Sequence, residues 1–174
     1  MPYVTDLLAL SRDTLHMPDK RSAPRLHWRR FGARLRESFI ETVQRTSMQT
    51  LDLPELGQLG ILEHLIEEEV SRNEFDHDLW QLGFLEGETQ PAAVLMLQVG
   101  NEPRVAELRY MGLAPEYRHK GFGRSLVHQA VHIAAGFADR IGLAVDIRNT
   151  PATRLYQSTG FCVIERRAVY LSLL

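Results

Sequence analysis

The sequence predicts a mixed α/β sheet, and three observations carry that prediction. Strand-like runs between Leu79 and Leu113 follow one another through hairpin-type turns. One of them, Ala92–Val99, is nearly all apolar, as a strand covered on both faces must be. A long amphipathic helix and a short one then separate the later strands, which requires helical crossovers. The 174 residues, 44% hydrophobic and 24% charged, suit one domain with a short extension and can bury a core without staples.

The elements follow in order. Residues 1–36 hold eight Arg/Lys against three Asp, and 37–69 hold eight Asp/Glu against Arg45 alone. With Pro2, Pro18 and Pro24 and weak periodicity, residues 1–24 read as a loosely packed N-terminal extension with one helical turn at Val4–Leu10, its basic excess solvated. The domain is read as 25–174. Alternation of Leu26, Trp28 and Arg30 with His27, Arg29 and Phe31 predicts a first strand near Arg25–Phe31. A helix over Ala33–Met48 would bury Leu35, Phe39, Ile40 and Val43. Pro54 disfavours helix at Leu53. A second helix is expected over Gly60–Ser71, with Ile61, Leu62, Leu65, Ile66 and Val70 as its apolar stripe. Strands follow at Leu79–Glu86, Ala92–Val99 and Arg104–Leu113, joined by Gly87-Glu88-Thr89-Gln90 and Gly100-Asn101-Glu102-Pro103. The helix over Gly121–Asp139 has Leu126, Ala130, Ile133, Ala134 and Phe137 on one face. Ile141–Ile147 is a strand, Pro151–Ser158 a short helix, and Phe161–Leu173 a terminal strand.

The most informative stretch runs from Leu113 to Leu126. Pro115 ends ladder pairing and forces a loop. Arg118-His119-Lys120-Gly121-Phe122-Gly123-Arg124 then opens the amphipathic helix. Glycines there let backbone approach a ligand closely, and the free N–H groups with the helix dipole favour phosphate. Arg118, Lys120 and Arg124 oppose that dipole unless an anion offsets them. Other phosphate loops fit poorly. Arg124 stands where a P-loop has Lys, and Leu126 where a dinucleotide fingerprint has its third Gly.

Arg118 to Gly123 matches the coenzyme A loop of the GNAT superfamily of N-acetyltransferases, Arg/Gln-x-x-Gly-x-Gly/Ala. The run Asn149-Thr-Pro-Ala-Thr-Arg-Leu-Tyr156-Gln-Ser-Thr-Gly160-Phe161 matches a second family element at a fitting distance. The chain therefore resembles that superfamily, strongly from Glu107 onward and loosely back to Arg25. The resemblance implies a mostly antiparallel mixed sheet flanked by helices, with acetyl-CoA bound where two parallel strands splay apart. Residues 1–24 have no obvious counterpart. After Phe161 there is barely room for the family's last two strands, which leaves either a tight turn at Glu165-Arg166-Arg167 or one long strand.

Transfer of an acyl group from a thioester to an amine needs a neutral amine, a polarised carbonyl and a protonated leaving thiolate. The resemblance implies Tyr156 as general acid, Asn149 and Arg118 to Arg124 as cofactor contacts, and the backbone of Met111–Leu113 as the rail for the pantetheine arm. Glu107, placed by period-two counting on one face with Arg109, Met111 and Leu113, is the first candidate base, and Asp146 the second. Ordered water is the third option. Asp52 and Glu55, in the turn between the first two helices, would attract a cationic amine or serve only as caps.

Other residues point elsewhere. His128 and His132 lie four apart on a helix, but Gln129 stands where a zinc-protease motif has Glu and no third ligand is apparent, so no metal site is expected. Cys162 reads as a buried structural thiol. One cysteine excludes an intrachain disulfide framework and fits a reducing, cytoplasmic setting. The net charge of −2 gives no bulk attraction to nucleic acid or an anionic membrane, and no apolar run reaches the roughly 20 residues of a membrane span. The expected activity is acetyl transfer from acetyl-CoA to a small-molecule or peptide amine, with a homodimer left open. The alternative is a non-catalytic acyl-CoA-binding or regulatory module.

Overall fold

The computed structural model describes residues 2–19, 23–55 and 77–170, together with 64, 67 and 68. In chain order the elements are β1 (Tyr3–Asp13), β2 (His27–Arg30), α1 (Arg36–Ser47, entered through a 3₁₀ turn at Ala33–Leu35), β3 (Trp80–Phe84), β4 (Ala93–Val99), β5 (Val105–Leu113), α2 (Phe122–Ala135), β6 (Arg140–Asp146), α3 (Thr150–Ser158) and β7 (Cys162–Tyr170). The helix expected over 60–71 lies largely outside the described residues.

The seven strands form one sheet in the order β2-β3-β4-β5-β6-β1-β7. All neighbours are antiparallel except β5 and β6, so the mixed α/β expectation holds. The apolar run predicted for β4 is buried from Ala93 to Leu97 because helices cover both faces. Leu95 and Met96 point to opposite faces, as successive strand residues do. Gln81, opposite Leu95, accepts a hydrogen bond from Gln129 of α2 (2.8 Å). Tyr110, opposite Met96, meets Thr46 of α1 (2.9 Å between hydroxyls). Helix α2 therefore covers one face and α1 the other. Phe39 of α1 stacks on Trp80 with ring centroids 5.3 Å apart, and the Trp80 indole N–H donates to the Leu97 carbonyl.

Three sequence readings are decided by the structure, two of them as corrections. The stretch expected as a loosely packed lead-in with a helical turn at Val4–Leu10 is strand β1, inserted between β6 and β7. Its alternation was hidden because buried polar residues break the apolar pattern. Thr5 bonds Asp146, and the Arg12 guanidinium bonds the carbonyls of Thr159 and His16. The second is the choice left open at the C-terminus, which falls to one long strand. No tight turn forms at Glu165-Arg166-Arg167; β7 is one nine-residue strand with an irregularity at Ile164, and β1 supplies its partner. The third is Cys162, which is exposed because it opens an edge strand. No helix among the described residues is long and apolar enough to cross a membrane.

Candidate active site

Strands β5 and β6 are paired only from Val105 to Glu107, against Arg140 to Gly142. Beyond that they diverge, so the β6-facing edge of β5 from Leu108 to Leu113 has no ladder partner. The divergence opens a cleft of about 610 Å³. Leu108–Leu113 form one wall and Leu143–Val145 the other. The turn after α1, from Gln49 to Asp52, and one side of α3, through Pro151, Ala152, Leu155 and Tyr156, complete the lining.

The loop before α2 reaches this cleft through Arg118, His119 and Gly123; Lys120, Gly121, Phe122 and Arg124 do not line it. Gly121 caps α2 with φ 85°, a left-handed conformation that only glycine adopts freely. A Cβ on Gly123 would lie 2.8 Å from Leu155, so that glycine lets α3 approach α2. The expected convergence of three cations is not what the side chains do. The Arg118 guanidinium donates to the carbonyls of Leu113, Thr46 and Met48, clamping β5 to the end of α1. Lys120 lies over the Tyr117 ring, and Arg124 donates to Ser158. Phe122 is buried against Tyr117. What this end of the cleft offers an anion is backbone: the first N–H groups of α2, which no helical carbonyl can satisfy.

Asn149 and Tyr156 both line the cleft. The Asn149 side chain accepts from the Ala152 N–H (3.3 Å) and caps α3, with Pro151 in the first turn as expected. Tyr156 is 7% exposed, its ring edge-on to Phe161. Burial, reinforced by the Asp52 charge, pushes its phenol well above the ordinary 10, so it stays protonated. No hydrogen-bond partner for its hydroxyl is found among the described residues.

The two expected bases are not brought to the cleft. Leu108 pairs with Leu97 but Tyr110 with Met96, so Arg109 is an extra residue in β5. This bulge breaks the period-two count. Glu107 lies opposite Gln98 and so shares the face of Tyr110 and Gly112, not that of Met111 and Leu113. It accepts a hydrogen bond from Gln98 (2.6 Å). Asp146 is fully buried. It accepts from the Thr5 hydroxyl (2.7 Å), the Leu53 N–H (3.2 Å), and the Arg148 N–H and guanidinium. Burial alone would raise its carboxyl, but these donors together hold it below the usual carboxylate range. Arg148 is the residue sequence reasoning missed. It bridges Asp146 to Glu55, and both partners push it above its ordinary value. The only signal was its place two residues beyond Asp146. Tyr110, Thr46 and Leu155 also line the cleft without having been expected there.

His128 and His132 stay on α2, and no group of His, Cys, Asp and Glu among the described residues is arranged to hold a metal.

Comparison with known proteins agrees with this geometry. A mycothiol acetyltransferase of Corynebacterium glutamicum is 37% identical over 71 residues, 40% of this chain and 24% of that protein. One from Corynebacterium efficiens is 42% identical over 65 residues, 37% of this chain and 22% of the relative. The chain thus spans about a quarter of the length of the curated relatives it matches. A GCN5-related N-acetyltransferase from Sphaerobacter thermophilus superposes with a TM-score of 0.67 at 18% identity, covering 95% of this chain and 51% of that one. A conserved protein of unknown function from Staphylococcus epidermidis gives 0.70 at 11% identity, covering 94% and 60%. At these identities the structural likeness speaks for the fold alone. The profile of the acetyltransferase (GNAT) family matches residues 45–161, from the end of α1 through the splayed strands to Phe161, and with most of the chain inside that match the protein belongs to this family.

Proposed function

We propose that the chain transfers an acetyl group from acetyl-CoA to a primary amine, directly, with both substrates bound together. The observation that carries this reading is the cleft. It runs between the unpaired halves of β5 and β6, starts at the bare N-terminus of α2 and has Tyr156 in its wall. The residues fit the cofactor on three counts. The left-handed Gly121 and the α2 N–H groups suit a pyrophosphate. The unpaired edge of β5 suits an extended amide-bearing arm. Gly123 lines that end with no side chain of its own. Acetyl-CoA supplies the activated thioester. Tyr156, held protonated by burial, is placed to give a proton to the departing thiolate. Exposed Leu51 and Asp52 form the rim through which an acceptor enters.

Calorimetry tests the reading. Wild-type protein should bind coenzyme A. Gly121→Val should weaken binding at least tenfold while the protein stays folded, because a β-branched residue resists positive φ. Gly121 is the better test position than Gly123, where a side chain would also push α3 away through Leu155. Absence of coenzyme A binding by the wild type would refute the reading.

A further inference from the structure

We propose that Asp52 is the proton acceptor for the incoming amine, and that the acceptor is therefore a cationic amine that enters as its ammonium. The proposal rests on the acetyl-transfer reading above.

The first argument is position. Among the described residues, Asp52 is the one acidic side chain that lines the cleft. The nearby carboxylates are otherwise engaged: Glu55 is held by Arg148, and Asp146, at the end of β6, is fully buried. One Asp52 oxygen accepts the Asp146 N–H (2.6 Å), which fixes the carboxyl to the end of β6. No bond to the other oxygen is found among the described residues.

The second argument is backbone. Within five residues the chain turns through two non-glycine residues of positive φ, Gln49 at 55° and Leu53 at 44°. Each is an unfavourable conformation for an L-residue, and such strain persists only where surrounding structure enforces it. The enforcing contact is visible: the Leu53 N–H donates to buried Asp146. Asp146, Thr5 and Arg148 thus form a platform whose product is the placement of Asp52 in the cleft.

The third argument is electrostatic. The groups that act on or feel Asp52 are Asp146 and Arg148 from the end of β6 and Tyr156 from α3, while Arg109 and Tyr110 from β5 and Arg118 and His119 from the loop before α2 line the same cleft. Loss of solvation raises the Asp52 carboxyl, and the Asp146 charge raises it further against the opposing Asp146 N–H and Arg148. A carboxyl raised in this way is a stronger base than one at its ordinary value. The two neighbouring carboxyls are shifted in opposite directions, Asp146 downward by its donors and Asp52 upward.

The balance is complete. Asp52 takes one proton from the ammonium, and the neutral nitrogen forms the C–N bond to the acetyl carbon. As the C–S bond breaks, Tyr156 protonates the leaving sulfur. The remaining excess proton on nitrogen restores the Tyr156 phenol, and Asp52 releases its proton to water.

The test compares Asp52→Asn, Asp52→Glu and wild type in three measurements. The first is release of coenzyme A thiol from acetyl-CoA with spermidine, L-lysine, glucosamine and ethanolamine as probes, across pH 5–10. The second is coenzyme A affinity by calorimetry. The third, on protein without cofactor, is the ultraviolet titration of tyrosine ionisation. Asp52→Asn should lower kcat/KM by about 10²-fold or more, the scale of general-base loss. It should also abolish the acidic limb and leave coenzyme A affinity within about twofold. Asp52→Glu should restore part of the rate. In the third measurement Asp52→Asn should move the ionisation of Tyr156 to lower pH, because a like charge beside the phenol is gone. An Asp52→Asn enzyme with wild-type rate and acidic limb overturns the proposal and leaves acetyl transfer standing. An unmoved tyrosine titration overturns the placement of the charge. Wild type that binds coenzyme A but acetylates none of the probes overturns the cationic-amine acceptor, whereas failure to bind coenzyme A overturns the parent reading.

Discussion

Tyr156 and Asp146 show how a single side chain's surroundings decide its job. Tyr156 is buried beside a negative charge, so its phenol is raised above the ordinary 10 and remains an acid throughout the working range. Tyr156→Phe should lower kcat by roughly 10²–10⁴-fold with little change in coenzyme A affinity. The wild-type rate should show no alkaline limb from this group below about pH 10. Steady-state kinetics over pH, at saturating acetyl-CoA, checks both. Asp146 is depressed, with the opposite meaning. Its bonds to Arg148, Thr5 and Leu53 exist for the ionised form, so the stability they contribute is fully present above the unfolded carboxylate range near 4. It is lost as pH falls through the lower folded value. Asp146→Asn should cost roughly 1–3 kcal/mol at pH 7, the scale of a hydrogen-bonded buried charge. The variant's stability should also change less than the wild type's below about pH 4. Urea unfolding at pH 7, 5 and 3 would show it, and equal losses at all three pH values would contradict it.

At the scale of elements, the legible parts were those whose partners are near in sequence. β3, β4 and β5 are joined by short turns, such as the one closed by the Gly100 N–H on the Val105 carbonyl (2.7 Å), so pattern and pairing agree locally. Helix α2 was legible from its periodicity, and α3 from Asn149 and Pro151. β1 was not. It is an inner strand whose polar residues find their partners about 140 residues away, Thr5 at Asp146 and Arg12 at Thr159, and no local pattern announces that. The bulge at Arg109 was hidden for a different reason: one extra residue leaves composition untouched but reverses which face Glu107 occupies. The candidate site divided in the same way. The loop and Tyr156 were legible as motifs, whereas the occupation of Arg118 by three carbonyls and the sealing of Asp146 depend on side-chain packing. β1 also carries a prediction. Leu10 is 1% exposed in the sheet, whereas Leu15 beyond its end is 79% exposed. Leu10→Ala should cost roughly 2–5 kcal/mol, and Leu15→Ala less than about 0.5 kcal/mol. Similar effects at both positions would show that β1 is dispensable to the sheet.

Across the whole molecule, the cleft is a gap left in a hydrogen-bonded sheet. The two halves, β2 to β5 and β6 to β7, are joined by three residues of parallel pairing and by α2, while the Arg118 clamp ties β5 to α1 within the first half. A ligand that fills the gap should brace both halves, and because only the folded chain presents the gap, it should stabilise by mass action. Coenzyme A at about 100 times its dissociation constant should add about 2.7 kcal/mol, or roughly 5–11 °C in Tm for a chain of this size. Replacing Arg118 separates bracing from charge. If the guanidinium served the phosphates, Arg118→Lys would keep most of the affinity and leave the unliganded Tm unchanged. As a clamp donating to three carbonyls in a fixed fork, it cannot be matched by an ammonium. Arg118→Lys should therefore lower the unliganded Tm, while the increment from saturating coenzyme A stays near the wild-type value. Thermal melts of both proteins with and without coenzyme A decide it. A normal unliganded Tm with a lost increment would return Arg118 to the phosphates.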